Sequence, residues 1–128
     1  MMGLAAKSSN GDRLFDNLHS TPHFHYLFFH LAYAFTQLAK ARLTPKQLHL
    51  LFETHQTLRY NPDLSPTALA DRLSKKLRIP LSTIKFNLAI LKGAGLLETK
   101  PAGKQQTTAH LSYGGQLLIQ LLPEPKIG

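Results

Sequence analysis

Residues 73–98 read LSKKLRIPLSTIKFNLAILKGAGLLE, and their punctuation decides the fold. Leu69, Leu73 and Leu77 recur every fourth residue up to about Arg78, as on one face of a helix started by Ser65-Pro66. Pro80 forces a turn. Ser82 is placed to cap a second helix, expected over 82–92, whose Ile84, Leu88 and Leu91 form a buried stripe. Gly93 and Gly95 end that helix. At 3.6 residues per turn, Phe86 and Ile90 face away from the stripe. A phenylalanine on an outward face calls for a partner.

Upstream, Thr44-Pro45-Lys46-Gln47 has the form of a capping box, and the helix it opens is expected to bury Leu48, Leu51, Phe52, His55 and Leu58 until Asn61-Pro62-Asp63 breaks it. Residues 1–18 show no sustained period and read as a flexible tail. Ser20, Thr21 and Pro22 supply the start of a helix over about 22–40, with Phe24, Leu27, Phe28, Leu31, Phe35 and Leu38 on one stripe. Tyr26, Phe29 and Tyr33 lie off it, so this helix is apolar on more than one side. Downstream the period changes to two. LLETK and QQTTAHL read as short strands joined by a turn at Pro101–Lys104, and Ser112 opens a last helix through Gln116 to Leu122, stopped by Pro123. The chain is therefore mostly α with one small β-hairpin, expected as a single domain over 19–128.

The 128 residues, 43% of them hydrophobic, suffice for a core without disulfides or metal, and the absence of cysteine excludes disulfides and thiolate chemistry. The greasiest stretch, His23 to Ala39, is short and interrupted by His25, His30, Thr36 and Gln37, so no membrane span is expected. No basic start followed by an apolar run marks a signal peptide, and a cytoplasmic location is expected. The informative quantity is charge: the whole chain carries +8, and between Arg72 and Lys104 eight positives face one negative, Glu98, for a net +7. A basic field concentrated in this way is the footprint of a polyanion binder.

Two helices joined by a tight turn and followed by a hairpin with lysines at its base and tip resemble the winged helix-turn-helix transcription regulators of the ArsR and MarR type and their archaeal relatives. The resemblance covers about Leu48 to Leu122. It rests on Leu73, Leu77 and Ile79 at the second-helix and turn positions, on Ser82-Thr83 with Ile84, Leu88 and Leu91, on Ala94-Gly95-Leu96-Leu97 leading into the wing, and on Leu111-Ser112 with Gly115. It implies a regulator that docks its recognition helix, here 82–92, in the major groove of double-stranded DNA, with a basic wing, here 96–111, on the backbone or minor groove. The runner-up is a winged-helix protein-interaction module within transcription or replication machinery.

On that resemblance Ser82 and Thr83 are expected to donate to phosphates or base edges, Lys85 to reach phosphate or guanine, and Phe86 to touch thymine methyls. Asn87, at the margin of the buried stripe, is open to base reading or packing. Lys100 and Lys104 are expected on phosphates or in the minor groove, and Arg72, Lys75, Lys76 and Arg78 on the backbone. Two features depart from the pattern. Arg78 stands where many such proteins have glycine, and the recognition helix has no arginine, the commonest guanine reader.

Regulators of this kind pair through helices outside the motif. Phe24, Leu27, Phe28, Leu31 and Phe35 are therefore the expected homodimer seam, with the last helix contributing. His19, His23, His25 and His30 invite a metal reading, but their spacing does not converge three ligands on one face, and no metal or cofactor is expected. Seven carboxylates without an evident pairing, and no phosphate loop or nucleophile elbow, point away from an enzyme.

Overall fold

The computed structural model describes residues 24–123. The expected tail at 1–18 and the helix start at Ser20-Thr21-Pro22 lie outside them. The described residues form α1 (Phe24–Arg42), α2 (Pro45–Tyr60), α3 (Pro66–Leu77), α4 (Leu81–Gly93), an antiparallel hairpin of β1 (Leu97–Pro101) and β2 (Thr107–Leu111), and α5 (Tyr113–Leu121). Helix α3, a tight turn, α4 and a hairpin, framed by α2 and α5, make a winged helix-turn-helix, to which α1 adds an N-terminal helix. The chain divides into two units, residues 1–37 and 38–128, with the boundary inside α1.

The capping box of α2 is complete. The Gln47 N–H donates to Thr44 Oγ1 and the Thr44 N–H to Gln47 Oε1, both at 3.1 Å. The buried line of α2 is not the expected one, however. Leu51 is fully buried, but Leu48, Phe52, His55 and Leu58 are only half-buried, and the innermost line runs through Gln47, Leu50, Leu51, Thr54 and Thr57. Helix α2 is packed by α3, α4 and α5. A helix enclosed on several sides buries the positions its neighbours approach, and small threonines admit that approach where residue type alone would have placed them outside.

Ser65 Oγ accepts from the Ala68 N–H at the start of α3, and Leu69, Ala70 and Leu73 are buried. The turn that follows is held at Arg78, which adopts φ 57°, ψ 44°. Its strain is offset locally: the Ile79 N–H reaches the Ser74 carbonyl at 3.2 Å, and Ser74 Oγ donates to the Ile79 carbonyl at 2.6 Å. Helix α4 then begins one residue before the expected start. Pro80, its φ fixed near the helical value by the ring, occupies the N-cap position and its carbonyl accepts from Ile84 at 3.1 Å. Ser82 is thus in the first turn and does not cap the helix.

Ile84, Leu88 and Leu91 form the buried face of α4. The helix ends with the Leu96 N–H on the Leu91 carbonyl and the Gly95 N–H on the Lys92 carbonyl, both 3.0 Å, and Gly95 at φ 81°. That is a Schellman motif, for which glycine costs least. The hairpin pairs Leu97 with Leu111 and Pro101 with Thr107. Its connection is longer than the expected Pro101–Lys104 turn, because Gly103 at φ 80° and Gln105 at φ 57° carry the reversal and Ala102 bonds Gln106 across it.

Two contacts fix the wing to the body. The Ala109 N–H donates to the Leu64 carbonyl at 2.9 Å, tying β2 to the segment before α3. At the other end, Ser112 caps α5 through the Gly115 N–H, and a Cβ on Gly115 would lie 2.2 Å from the Leu96 carbonyl oxygen. Only glycine lets α5 approach the strand entry this closely.

Candidate nucleic-acid interface

Helix α4 presents opposite faces of opposite character. Inward lie Ile84, Leu88 and Leu91; outward, Ser82, Thr83, Lys85, Phe86 and Ala89 are all exposed, Phe86 by 65%. No side chain caps the N-terminus, so the N–H groups of Leu81, Ser82 and Thr83 have no acceptor within the helix. Beside two free hydroxyls, these donors and the positive end of the helix dipole favour an anionic oxygen.

Asn87 is placed differently from its neighbours. Its Oδ1 accepts from Gln47 Nε2 at 3.0 Å, and its Nδ2 donates to the Thr83 carbonyl at 3.0 Å. Both ends of the amide are engaged. Gln47 is itself buried and closes the capping box of α2, so Asn87 links the start of α2 to the middle of α4. The side chain is used for positioning.

The expected cations separate into two groups. Lys75 pairs with Asp71 at 3.1 Å, Lys76 with Glu53 at 2.8 Å and Lys100 with Glu98 at 3.5 Å. Exposed pairs of this kind are worth little to stability, but each neutralises a charge a polyanion would otherwise meet. Lys76 differs from the other two, because its partner Glu53 is only 21% exposed and lies on α2. Among the described residues, Arg72, Arg78, Lys85 and Lys104 make no ion pair and are exposed.

The expected site residues omitted Lys92. With Lys85 it lines a cleft of about 270 Å³ between the start of α3, α4 and the hairpin, which also includes Thr67, Ala89 and Thr99. Lys85 and Lys92 are seven residues apart, two turns along one face, and that spacing was the signal available in the sequence. His25 and His30 of α1 join no group of three or more possible metal ligands among the described residues; His19 and His23 lie outside them.

The chain is similar to MepR. That solved structure, a transcription regulator of the Staphylococcus aureus multidrug efflux pump MepA, shares 18% identity over 77% of this chain and 73% of its own, with a TM-score of 0.48. No protein-family model matches the chain, and no curated protein does.

Proposed function

We propose that the chain is a cytoplasmic transcription regulator that binds double-stranded DNA as a homodimer, laying α4 in the major groove and the wing on the backbone or minor groove. The observation that carries this reading is the outward face of α4: Ser82, Thr83 and Lys85 beside the exposed Phe86, with no side-chain cap at its N-terminus, in the segment of net charge +7. In this reading Ser82, Thr83 and the orphan N–H groups meet phosphate, Lys85 reaches phosphate or guanine, and Phe86 contacts thymine methyls. Arg72, Arg78, Lys92 and Lys104 supply backbone contacts. Lys75, Lys76 and Lys100 join only by leaving their carboxylates.

Pairing is assigned to α1. In the single chain Tyr26, Phe29, Leu31 and Tyr33 are 65–68% exposed, and Leu27 and Phe28 are 42% and 49% exposed. Such a run of large apolar side chains favours a second surface, and a two-fold dimer would present two recognition helices to two half-sites. Sedimentation showing only monomer at micromolar concentration would remove this part of the proposal. For DNA, the test is fluorescence anisotropy with duplex at several salt concentrations. Tight binding at low salt that weakens steeply as salt rises is expected, and weak binding even at low salt contradicts it.

The exposure of Phe86 also favours a second reading, a protein-interaction module. If Phe86→Ala leaves DNA affinity unchanged while abolishing a protein contact, that reading replaces the first.

A further inference from the structure

On α4 the positions farthest from the Ile84-Leu88-Leu91 face are Ser82, Phe86, Ala89 and Gly93, which follow one another along a single line of the helix. All four are exposed, and Phe86 is the one large side chain among them. With only short neighbours a turn before and a turn after it, its ring stands highest on the line and is first to meet a surface laid against the helix. Lys85 and Lys92 flank the line on one side, Thr83 and Asn87 on the other. Groups that read bases by hydrogen bonds are scarce here. Guanine is read best by arginine, adenine by a two-point contact from asparagine or glutamine, and the cytosine amino group by a carboxylate. Helix α4 contains no arginine, glutamine or carboxylate. Both ends of its one amide, Asn87, are bonded to Gln47 and to the Thr83 carbonyl. Beside the lysines and hydroxyls there remain Phe86, Ala89 and the methyl of Thr83, which meet a base through carbon. They match one feature of the major groove, the methyl group on C5 of thymine.

We propose that α4 selects duplex DNA by the pattern of C5-methyl groups in the major groove, with Phe86 and Ala89 covering them, and that it therefore prefers cytosine methylated at C5 to unmodified cytosine. Methyl selection rests on the DNA reading above and specifies what that face discriminates. 5-Methylcytosine carries its methyl on the same ring carbon, at the same edge of the base pair, as thymine does. The two differ there in the neighbouring atom, an amino donor in one and the O4 acceptor in the other. The hydroxyls of Ser82 and Thr83 both donate and accept, so they serve either base. A face that recognises the methyl and tolerates both neighbours admits 5-methylcytosine where it admits thymine.

The test uses the full chain and a duplex it enriches from a random pool, remade with deoxyuridine at every thymine position. That exchange removes the methyl groups and leaves pairing and charge unchanged. Fluorescence anisotropy should show the deoxyuridine form bound more weakly by about fourfold or more, the value of one buried methyl. Phe86→Ala should bind the two forms alike, with an unchanged melting temperature because the ring is 65% exposed. A mixed-sequence duplex rich in C·G pairs, with every cytosine methylated at C5, should bind the wild type about fourfold or more tighter than its unmethylated twin, and Phe86→Ala should lose that preference. Equal affinity of the wild type for the thymine and deoxyuridine forms overturns the proposal, as does a preference that Phe86→Ala retains. A thymine preference without one for methylated cytosine overturns the extension to 5-methylcytosine. All of these outcomes leave the DNA reading standing; failure to bind any duplex at low salt overturns both.

Discussion

Asn87→Ala separates a positioning residue from a base reader. The substitution removes the acceptor of Gln47 Nε2 and the donor to the Thr83 carbonyl. Gln47 is 8% exposed, so its amide would be left with little water to replace the bond, at a cost of about 1–3 kcal/mol. The second bond, at an exposed carbonyl, adds about 0.5 kcal/mol. The sum of about 1.5–3.5 kcal/mol would lower the melting temperature by roughly 10 °C for a domain of this size. Urea denaturation of the wild type, Asn87→Ala, Gln47→Ala and the double variant measures it as a cycle, with a coupling energy above about 0.5 kcal/mol expected. DNA affinity per folded molecule should fall only modestly. Unchanged stability, no coupling to Gln47 and a large loss of DNA affinity would refute the positioning role and return Asn87 to base reading.

Other substitutions test other joints of the structure. Gly115→Ala places a methyl against the Leu96 carbonyl oxygen, and thermal unfolding should show a loss of about 1–3 kcal/mol. Arg78→Gly relieves a left-handed residue at the cost of a more disordered unfolded chain, so chemical denaturation should show a net gain between zero and about 1 kcal/mol. Arg78→Val, branched at Cβ, should destabilise at the same position. Lys76→Ala should lower stability by about 0.5–1 kcal/mol through the loss of its tie to Glu53 and leave DNA affinity nearly intact. Lys85→Ala should do the reverse.

The sequence was most legible where backbone chemistry is local. The capping box at Thr44 and Gln47, the serine before α3 and the proline that opens it, the glycines ending α4 and the Ile84-Leu88-Leu91 stripe are each decided within a few residues. Arg78 stood out only through the resemblance, at a position where many such regulators have glycine, and its φ of 57° is the left-handed value that position takes. The sequence was less legible where burial depends on several neighbours at once. Thr54 and Thr57 are buried because three helices enclose α2, and no periodicity of greasy residues marks them. In α1, apolar side chains surround the helix, so pattern alone could not choose a face; Leu38, placed on the expected stripe, is 63% exposed, whereas Ala39 is buried. At the candidate interface the sequence identified which residues point outward. The partner of Lys76 was not legible, because Glu53 is remote in sequence, and neither was the engagement of Asn87 by a glutamine forty residues away; Lys75 with Asp71 and Lys100 with Glu98 are local pairs that the spacing did offer.

We infer that α3, the turn after it, α4 and the wing form a polyanion-binding face whose cations without an ion-pair partner among the described residues are Arg72, Arg78, Lys85, Lys92 and Lys104. If each neutralises one phosphate, the logarithm of the binding constant should fall against the logarithm of salt concentration with a slope of about −4.5 per protomer. The most direct measurement is that slope, from anisotropy titrations of the wild type and of Lys85→Ala with Lys104→Ala on one duplex. A steep wild-type slope is expected, becoming about 2 units shallower per protomer in the double variant. Weak, salt-insensitive binding, or a slope the double variant leaves unchanged, would contradict it.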